Sequence, residues 1–100
     1  MQEQTDLPRL LKILRQQLPL LTARYQVASL SVFGSYVRHE QRPDSDIDIL
    51  VTFHEPPSLL KFIELENYLT DVLGIKVDLV MKETLKPRIG EHILHEAVPV

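Results

Sequence analysis

Cysteine is absent from the sequence, which excludes a disulfide framework as the source of its stability. No apolar run approaches the length of a membrane span, and the N-terminus shows no secretory-signal pattern. Internal repeats, low-complexity segments and linkers are absent too. We therefore expect a cytoplasmic protein that does not act at a membrane.

A surplus of basic residues is also missing. The formal net charge is −3, because 11 lysines and arginines stand against 14 acidic residues. Proteins that hold nucleic acid through its phosphates usually carry a basic surplus, so a long nucleic acid is not the expected partner. A single nucleotide with a bound metal ion is compatible with this charge, since the metal neutralises the phosphates locally.

The remaining composition is that of an ordinary soluble domain. Apolar residues make up 44% and charged residues 25% of the 100 residues. This is enough apolar sequence for one modest core, and we predict a single domain over residues 1–100.

The first predicted element is a helix that begins at Thr5 and ends at Tyr25. Asp6 can cap its start. Pro19 interrupts the helix, because an internal proline loses a hydrogen bond and clashes with the preceding turn, and we expect a kink or break near Gln17 or Leu18. The apolar stripe of this helix is most simply core, although part of it could bind a partner. It consists of Leu7, Leu11, Leu14, Leu18, Leu21 and Tyr25.

Three strands and three further helical segments follow. The second strand ends at Glu55-Pro56-Pro57, after which Ser58 can cap a long helix and Gly74 can stop it. The last helix begins near Pro87. The strands are predicted over residues 27–33, 47–53 and 75–81, and one or two helical turns over residues 35–41.

The connections between these elements set the predicted topology. The link between the first two strands is too short for a crossover helix, so this pair should be antiparallel. A long helix joins the second strand to the third, which suits a right-handed parallel crossover. We therefore predict an α/β (α+β) fold with a small mixed β-sheet flanked by helices. The apolar faces predicted for the last two helices are Leu59, Phe62, Ile63, Leu69, Val72 and Leu73, and Leu85, Ile89, Ile93, Leu94 and Ala97.

Three aspartates lie on the predicted second and third strands. Because side chains alternate along a strand, Asp46 and Asp48 share one face, and Asp78 points away from the core if its neighbours are buried. Carboxylates held close together repel each other and raise each other's pKa, a conflict that a divalent cation removes. Oxygen ligands without cysteine suit Mg²⁺ rather than Zn²⁺. The alternative is that these are ordinary turn and strand acids exposed to solvent.

Gly34 and Ser35 form a turn directly after the first strand. Glycine lacks a Cβ, so backbone N–H groups in such a turn can approach an anion closely. Together with the aspartates, this turn predicts a site for a metal ion and a phosphate. Gly34 could also be only a turn glycine, and Ser35 only a helix cap. The sequence allows two partners for Arg38, a phosphate or a nearby acid such as Asp44.

Two further features admit a functional interpretation. His92 and His95 are three residues apart on a predicted helix, a spacing that can form a metal pair. Without a third soft ligand nearby, surface histidines are the simpler interpretation. Tyr36 could stack on a base or could pack as an ordinary tyrosine.

The aspartates and the turn belong to a recognisable signature. Phe33-Gly34-Ser35 is followed, after ten residues, by Asp46-Ile47-Asp48-Ile49 and later by Asp78, which resembles the polymerase-beta-type nucleotidyltransferase signature. The segments Lys76-Val77-Asp78-Leu79-Val80 and Glu91-His92-Ile93-Leu94-His95-Glu96-Ala97 make the chain most similar to the minimal nucleotidyltransferases, which are often antitoxin partners of HEPN-domain proteins. The family commonly reads Gly-Ser-x-Ala-Arg-Gly, whereas this chain has Val37 in place of the alanine and His39 in place of the final glycine.

The resemblance implies transfer of AMP from ATP to a tyrosine hydroxyl of a HEPN toxin, which would neutralise the toxin. It also implies two Mg²⁺ ions, with Asp78 helping to deprotonate the incoming hydroxyl. The alternative is a non-catalytic or weakly catalytic nucleotide-binding module that neutralises its partner by contact. Nucleotide addition to RNA is disfavoured by the acidic charge. The implied site residues are Asp46, Asp48 and Asp78 for metal binding and catalysis, and Gly34, Ser35 and Arg38 for the nucleotide.

Overall fold

The structure is a computed structural model that describes residues 6–100. Thr5, the predicted start of the first helix, lies outside the described residues. No helix within residues 6–100 is long and apolar enough to cross a membrane. The helices are α1 Asp6–Tyr25, α2 Ser35–Arg38, α3 Leu59–Leu73 and α4 Pro87–Glu96, the strands are β1 Val27–Phe33, β2 Ile47–Phe53, β3 Val77–Met81 and β4 Val98–Pro99, and a 3₁₀ turn spans Lys82–Thr84.

The strands form a mixed sheet in the order β3-β2-β1-β4. β1 is antiparallel to β2 and to β4, whereas β2 is parallel to β3. The predicted mixed sheet with flanking helices is therefore confirmed, including the antiparallel first pair and the parallel crossover through α3. β4 was not predicted, because two residues, one of them a proline, show no alternation from which a strand can be recognised.

Helices α1 and α3 pack on the sheet and enclose the core with it. The strands contribute alternate residues to this core, so that Ile47, Ile49 and Val51 of β2 are fully buried. The residues between them point to the other face of the sheet. Asp48 on β2 and Asp78 on β3 both have that orientation, as predicted.

Helix α1 continues through Pro19, so the break predicted near Gln17 or Leu18 is wrong. Pro19 is exposed, whereas Leu14 and Leu21 on either side of it are fully buried. A proline inside a helix costs about 3 kcal/mol, and the burial of each leucine contributes about 1.5–3 kcal/mol. Packing of the two leucines therefore outweighs the local preference of the proline.

The buried face of α3 differs in part from its prediction. It runs through Leu65, Leu69 and Leu73, whereas Leu59 and Ile63 are 74% and 43% exposed. At about 100° per residue, Leu59 and Ile63 are rotated by roughly 120° and 160° from Leu65 around the helix. The positions of the large apolar residues thus predicted the buried face of α3 correctly at its C-terminal end and wrongly at its start.

The packed face of helix α4 also differs in part from the one predicted, since Ile93 and Ala97 are half-buried as expected. Gly90 is its buried residue, while Ile89 and Leu94 are 57% and 47% exposed. A Cβ built on Gly90 would lie 3.1 Å from the Leu85 Cβ. The helix therefore packs through its smallest residue, which a search for large apolar side chains does not find.

Candidate active site

Asp48 and Asp78 lie side by side on the parallel strands β2 and β3. Their Cα atoms are register partners, so both side chains leave the same face of the sheet. Asp78 is exposed and Asp48 is half-buried. Burial, the charge of Asp78 and hydrogen bonding to its carboxyl group raise the pKa of Asp48 to about 6, with a smaller contribution from Asp46 and an opposing one from Arg38.

These carboxylates fit a hard divalent cation by their chemistry. All the donors are carboxylate oxygens. Burial and the neighbouring Asp78 carboxylate both disfavour the charge on Asp48, and a cation bound between the two carboxylates would relieve that cost. Asp46, exposed and directly before β2, affects Asp48 less than Asp78 does. Across residues 6–100, no three His, Cys, Asp or Glu side chains are close enough together to hold a metal ion by themselves. The structure thus brings together the acidic pair Asp48 and Asp78, and it places Asp46, the third predicted ligand, near enough to affect the pKa of Asp48.

A tight turn fixes the approach to Asp46. The Arg42 N–H donates to the Ser45 Oγ at 2.7 Å, and the Ser45 N–H donates to the Arg42 carbonyl at 2.9 Å. On the other side of Asp46, the Ile47 N–H donates to the Lys76 carbonyl at 2.9 Å. Asp46 is therefore held between a closed turn and the first residue of β2.

Gly34 follows β1 directly and lies against Asp48. Phe33 is the register partner of Asp48, and a Cβ built on Gly34 would overlap with the Asp48 carboxylate. Gly34 also has a φ of +83°, in a region that other residues rarely adopt. Glycine is therefore required here for close approach to the acid as well as for the turn.

The segment after Gly34 forms the single helical turn α2. Ser35 begins this turn and does not cap it, because Gly34 is the N-cap residue. His39 ends it with a φ of +59°, which is the left-handed conformation that the glycine common in the family adopts most easily. Tyr36 is 4% exposed and belongs to the core. Its packing agrees with an ordinary core tyrosine and not with a base-stacking platform.

Arg38 binds two carboxylates. Its Nε donates to Glu40 Oε1 at 3.0 Å, and its Nη1 donates to the Glu96 Oε1 and Oε2 at 2.8 and 3.1 Å. The hydrogen bonds to Glu40 and then to Glu96 raise the pKa of Arg38. The acidic partners of Arg38 are therefore Glu40 and Glu96, and the pairing with Asp44 is wrong.

Glu96 completes the site and was not predicted. Its Oε2 accepts the Gly34 N–H at 2.7 Å, so the donor that was expected to face a phosphate is bound to protein. Burial raises the pKa of Glu96, but hydrogen bonds from Arg38 and Gly34 outweigh burial and lower it. Glu96 lies in the segment 91–97 that contributes to the family resemblance, but a contact across 62 residues leaves no local pattern in the sequence.

The two histidines of α4 have a simpler role. His92 and His95 are both exposed, and the described part of the chain contains no cluster of metal-ligating side chains around them. Their arrangement agrees with surface histidines.

Comparisons with protein families, related proteins and solved structures agree with one another. The family model described as "Nucleotidyltransferase domain" matches residues 7–100. The protein adenylyltransferase MntA of Thermococcus cleftensis is 59% identical over 80 residues, which are 80% of this chain and 81% of that protein. The solved structure of a minimal nucleotidyltransferase has a TM-score of 0.76 at 41% identity and covers 90% of this chain and 92% of that one.

A more distant structure shares the fold. It is a complex of a tri-AMPylated Shewanella oneidensis HEPN toxin with an MNT antitoxin, with a TM-score of 0.59 at 23% identity over 96% of this chain and 69% of that one. The resemblance to minimal nucleotidyltransferases and the prediction of an enzyme are thus confirmed. On a family match over nearly its whole length, and with a relative identical at more than half of the aligned positions, this chain belongs to the nucleotidyltransferase domain family.

Proposed function

We propose that the chain transfers AMP from ATP to a tyrosine hydroxyl of a HEPN-domain toxin and so acts as its antitoxin. The Thermococcus relative is named a protein adenylyltransferase, and the Shewanella complex joins an MNT antitoxin to an AMPylated HEPN toxin. A protein acceptor, rather than a long nucleic acid or a membrane, also agrees with the net charge of −3. In this proposal residues 1–100 act as one domain in the cytoplasm.

The pairing of Asp48 with Asp78 beside Gly34 is the observation that carries the proposal. The two carboxylates leave the face of the sheet that the core does not use, and burial together with the charge of Asp78 raises the pKa of Asp48 to about 6. A structural ion pair would lower the pKa of a carboxyl group instead. An unbalanced acidic pair next to a turn that only glycine can form is what a site for a cation and a phosphate requires.

The three aspartates would hold Mg²⁺, two ions by the family resemblance. Bound Mg²⁺ supplies charge neutralisation at the phosphates and orientation of the reacting oxygens. Asp78 is more exposed than Asp48, and in this proposal it accepts the proton of the incoming hydroxyl. The hydroxyl oxygen bonds to the α-phosphorus, while the bond from that phosphorus to the oxygen of the β-phosphate breaks. Pyrophosphate leaves with the electron pair, and AMP stays on the acceptor.

Ser35 and Arg38 hold the leaving phosphates in this proposal. No hydrogen bond to the Ser35 hydroxyl is found among residues 6–100, so this group is available to a phosphate. The Arg38 side chain is 48% exposed even with its two carboxylate partners. Gly34 contributes the close approach to Asp48, because its N–H is bound to Glu96.

One observation favours the alternative of a nucleotide-binding module that silences its partner by contact. The Glu96 carboxylate binds both the Gly34 N–H and the Arg38 guanidinium, two of the three groups expected to bind phosphate. A carboxylate in that position repels an incoming phosphate, which could weaken ATP binding and slow the transfer.

The experiment that tests the proposal uses the chain with its HEPN-domain partner, Mg²⁺ and ATP. Mass spectrometry of the partner should find AMP on a tyrosine, and the partner should stay inactive after this chain is removed. An unmodified partner that recovers on separation would establish the contact inhibitor instead. Asp46→Asn should give no adduct. Asp44→Asn changes an exposed acid of the preceding turn and serves as the matched control that should modify the partner normally.

A further inference from the structure

We propose that Glu96 is a positioning residue for nucleotide binding. Its carboxylate holds the Gly34 turn against Asp48 and orients Arg38 toward the phosphates. This inference rests on the proposed function, since it assumes a nucleotide at this site. It concerns a residue of the C-terminal helix that neither the aspartate signature nor the Gly-Ser turn includes.

One carboxylate joins two parts of the site. Glu96 Oε2 accepts from both the Gly34 N–H and Arg38 Nη1, and Oε1 accepts from Arg38 Nη1 as well. The Glu96 side chain is only 17% exposed. Hydrogen bonds between charged partners are roughly twice as strong as neutral ones, so this carboxylate restrains the turn and the guanidinium together.

The fold fixes the position of Glu96. It is the last residue of α4. β4 begins two residues later, where Val98 is the register partner of Val32 in β1. The Val100 N–H then donates to the Leu30 carbonyl at 3.0 Å. The strand that presents Gly34 is therefore the same strand that anchors the chain after Glu96. A carboxylate tied to the sheet in this way is a fixed support and not a temporary occupant of the phosphate position.

Arg38 is held at two of its three nitrogens. Nε donates to Glu40 and Nη1 donates to Glu96, and no hydrogen bond from Nη2 is found within the described chain. A planar guanidinium held at two corners keeps its third corner in a defined direction. The side chain is thereby preorganised, which reduces the entropy lost when a phosphate binds.

Gly34 transmits the same restraint to the acidic pair. The backbone at Gly34 lies so close to Asp48 that a Cβ would overlap with its carboxylate. The Gly34 carbonyl accepts from the Val37 and Arg38 N–H groups within the turn, whereas the bond from its N–H to Glu96 ties the turn to α4. Loss of that bond removes one restraint on the position of Gly34 beside Asp48. Loss of Glu96 should therefore disturb the turn and Arg38 at once.

The opposite interpretation, a carboxylate that merely stands where a phosphate binds, makes the opposite prediction. Removal of a competing anion should tighten ATP binding, whereas removal of a support should weaken it. The affinity for Mg-ATP therefore distinguishes the two, and it can be measured without any transfer reaction.

The experiment measures the dissociation constant of Mg-ATP by calorimetry for the wild type, Glu96→Ala, Glu96→Gln and Glu40→Ala. Glu96→Ala should bind about tenfold more weakly, as expected for the loss of charge-assisted hydrogen bonds. Glu96→Gln should recover most of this loss, because the amide oxygen can accept from the same donors. Glu40→Ala removes the other support of Arg38 but leaves the Gly34 contact, and its ion pair with Arg38 is exposed, so it should weaken binding by a smaller factor, less than about threefold.

A second measurement follows the Gly34 amide by NMR in the full chain. Its proton resonance should lie downfield in the wild type, move upfield in Glu96→Ala, and stay downfield when Mg-ATP binds to the wild type. Tighter ATP binding by Glu96→Ala, unchanged affinity with reduced stability alone, or loss of the downfield resonance on ATP addition would overturn the inference. If Glu96→Ala does not fold, Glu96→Gln and the wild-type spectra decide. If the wild type binds ATP in this way but modifies no partner, the transferase proposal is rejected and the role of Glu96 in binding stands. If the wild type binds no ATP, both proposals are rejected.

Discussion

Asp48 and Glu96 both lie next to Gly34, yet their surroundings shift their pKa values in opposite directions. Asp48 on β2 stands beside another carboxylate, and burial together with that charge raises its pKa to about 6. Glu96 at the end of α4 receives hydrogen bonds from Arg38 and Gly34, and its pKa is lowered despite its burial. Among residues 6–100, Asp48 makes no ion pair, whereas Glu96 is paired with Arg38.

We interpret this difference as a division between the residues proposed to react and the residue proposed to support them. Perturbed carboxyl groups without a protein cation are typical of positions that bind a metal or a substrate. A carboxylate saturated by a guanidinium and a backbone N–H already has its ligands and serves to hold them in place. In the proposed function, the acids on β2 and β3 therefore take part in the reaction, and the acid on α4 supports them.

The largest effect on AMP transfer should follow from neutralising Asp48 of the acidic pair. Asp48→Asn removes the central acid, and AMP transfer should fall by more than about 100-fold, since even indirect partners of a metal ligand contribute 10–100-fold. Labelled ATP and the partner protein measure the rate. The same change at the exposed Asp44 should leave it within a factor of two or so. Near-normal transfer by Asp48→Asn would remove the acidic pair from the mechanism.

Asp78→Asn separates proton transfer from metal binding. If Asp78 takes the hydroxyl proton, the rate should fall by about 10²–10⁴-fold while the affinity for Mg-ATP changes far less. If Asp78 only binds metal, both quantities should fall together. Parallel measurement of transfer and of the dissociation constant separates these outcomes, and a variant of normal rate would make Asp78 a solvated strand residue.

Gly34→Ala should disturb the turn that lies between the Asp48 and Glu96 carboxylates. The new methyl group meets the Asp48 carboxylate and the backbone φ is +83°, so we expect a loss of about 1–3 kcal/mol in unfolding free energy together with reduced transfer. Gly74→Ala is the matched control. Its φ is +71°, but nothing lies within 4 Å of the added Cβ, so only backbone strain should act there. Urea denaturation of both variants gives the comparison, and equal losses would contradict the close approach at Gly34.

The smallest effect is a pH dependence of stability in the metal-free protein. The pKa of Asp48 is raised from 3.8 to about 6 in the folded state, so its stabilising contribution is present below pH 4 and lost as the pH rises through 6. Asp48→Asn should therefore gain in Tm over the wild type as the pH rises from 4 to about 7, and then level off. Thermal melts with a chelator measure the difference, and a gain independent of pH would show that the charge of Asp48 is not the cause.

Local sequence patterns were sufficient for most of the fold. β1, β2 and α3 have the predicted ends, because the Gly-Ser turn, Glu55-Pro56-Pro57, Ser58 and Gly74 are strong boundary signals. The face of Asp48 and Asp78 followed from strand alternation alone. Where packing opposed local preference, as at Pro19 in α1 or Gly90 in α4, the prediction was wrong or incomplete.

The candidate site was predictable only for the residues within its motif. Asp48 and Gly34 lie close together in sequence, on either side of one short connection. Glu96 reaches Gly34 because β4 returns the chain to β1, and a two-residue strand leaves no periodic signal. The partners of Arg38 depend on the same return, so sequence alone offered Asp44 as a nearby acid and could not identify Glu96.

The most direct test of the central claim is the origin of the label in the modified partner. The chain is incubated with its HEPN-domain partner, Mg²⁺ and ATP labelled either at the α- or at the γ-phosphate. Attack at the α-phosphorus retains AMP, so the account predicts label on the partner from α-labelled ATP only, and none from either ATP with Asp48→Asn. Label from the γ-phosphate, or no label on a partner that is nevertheless inhibited, would contradict it.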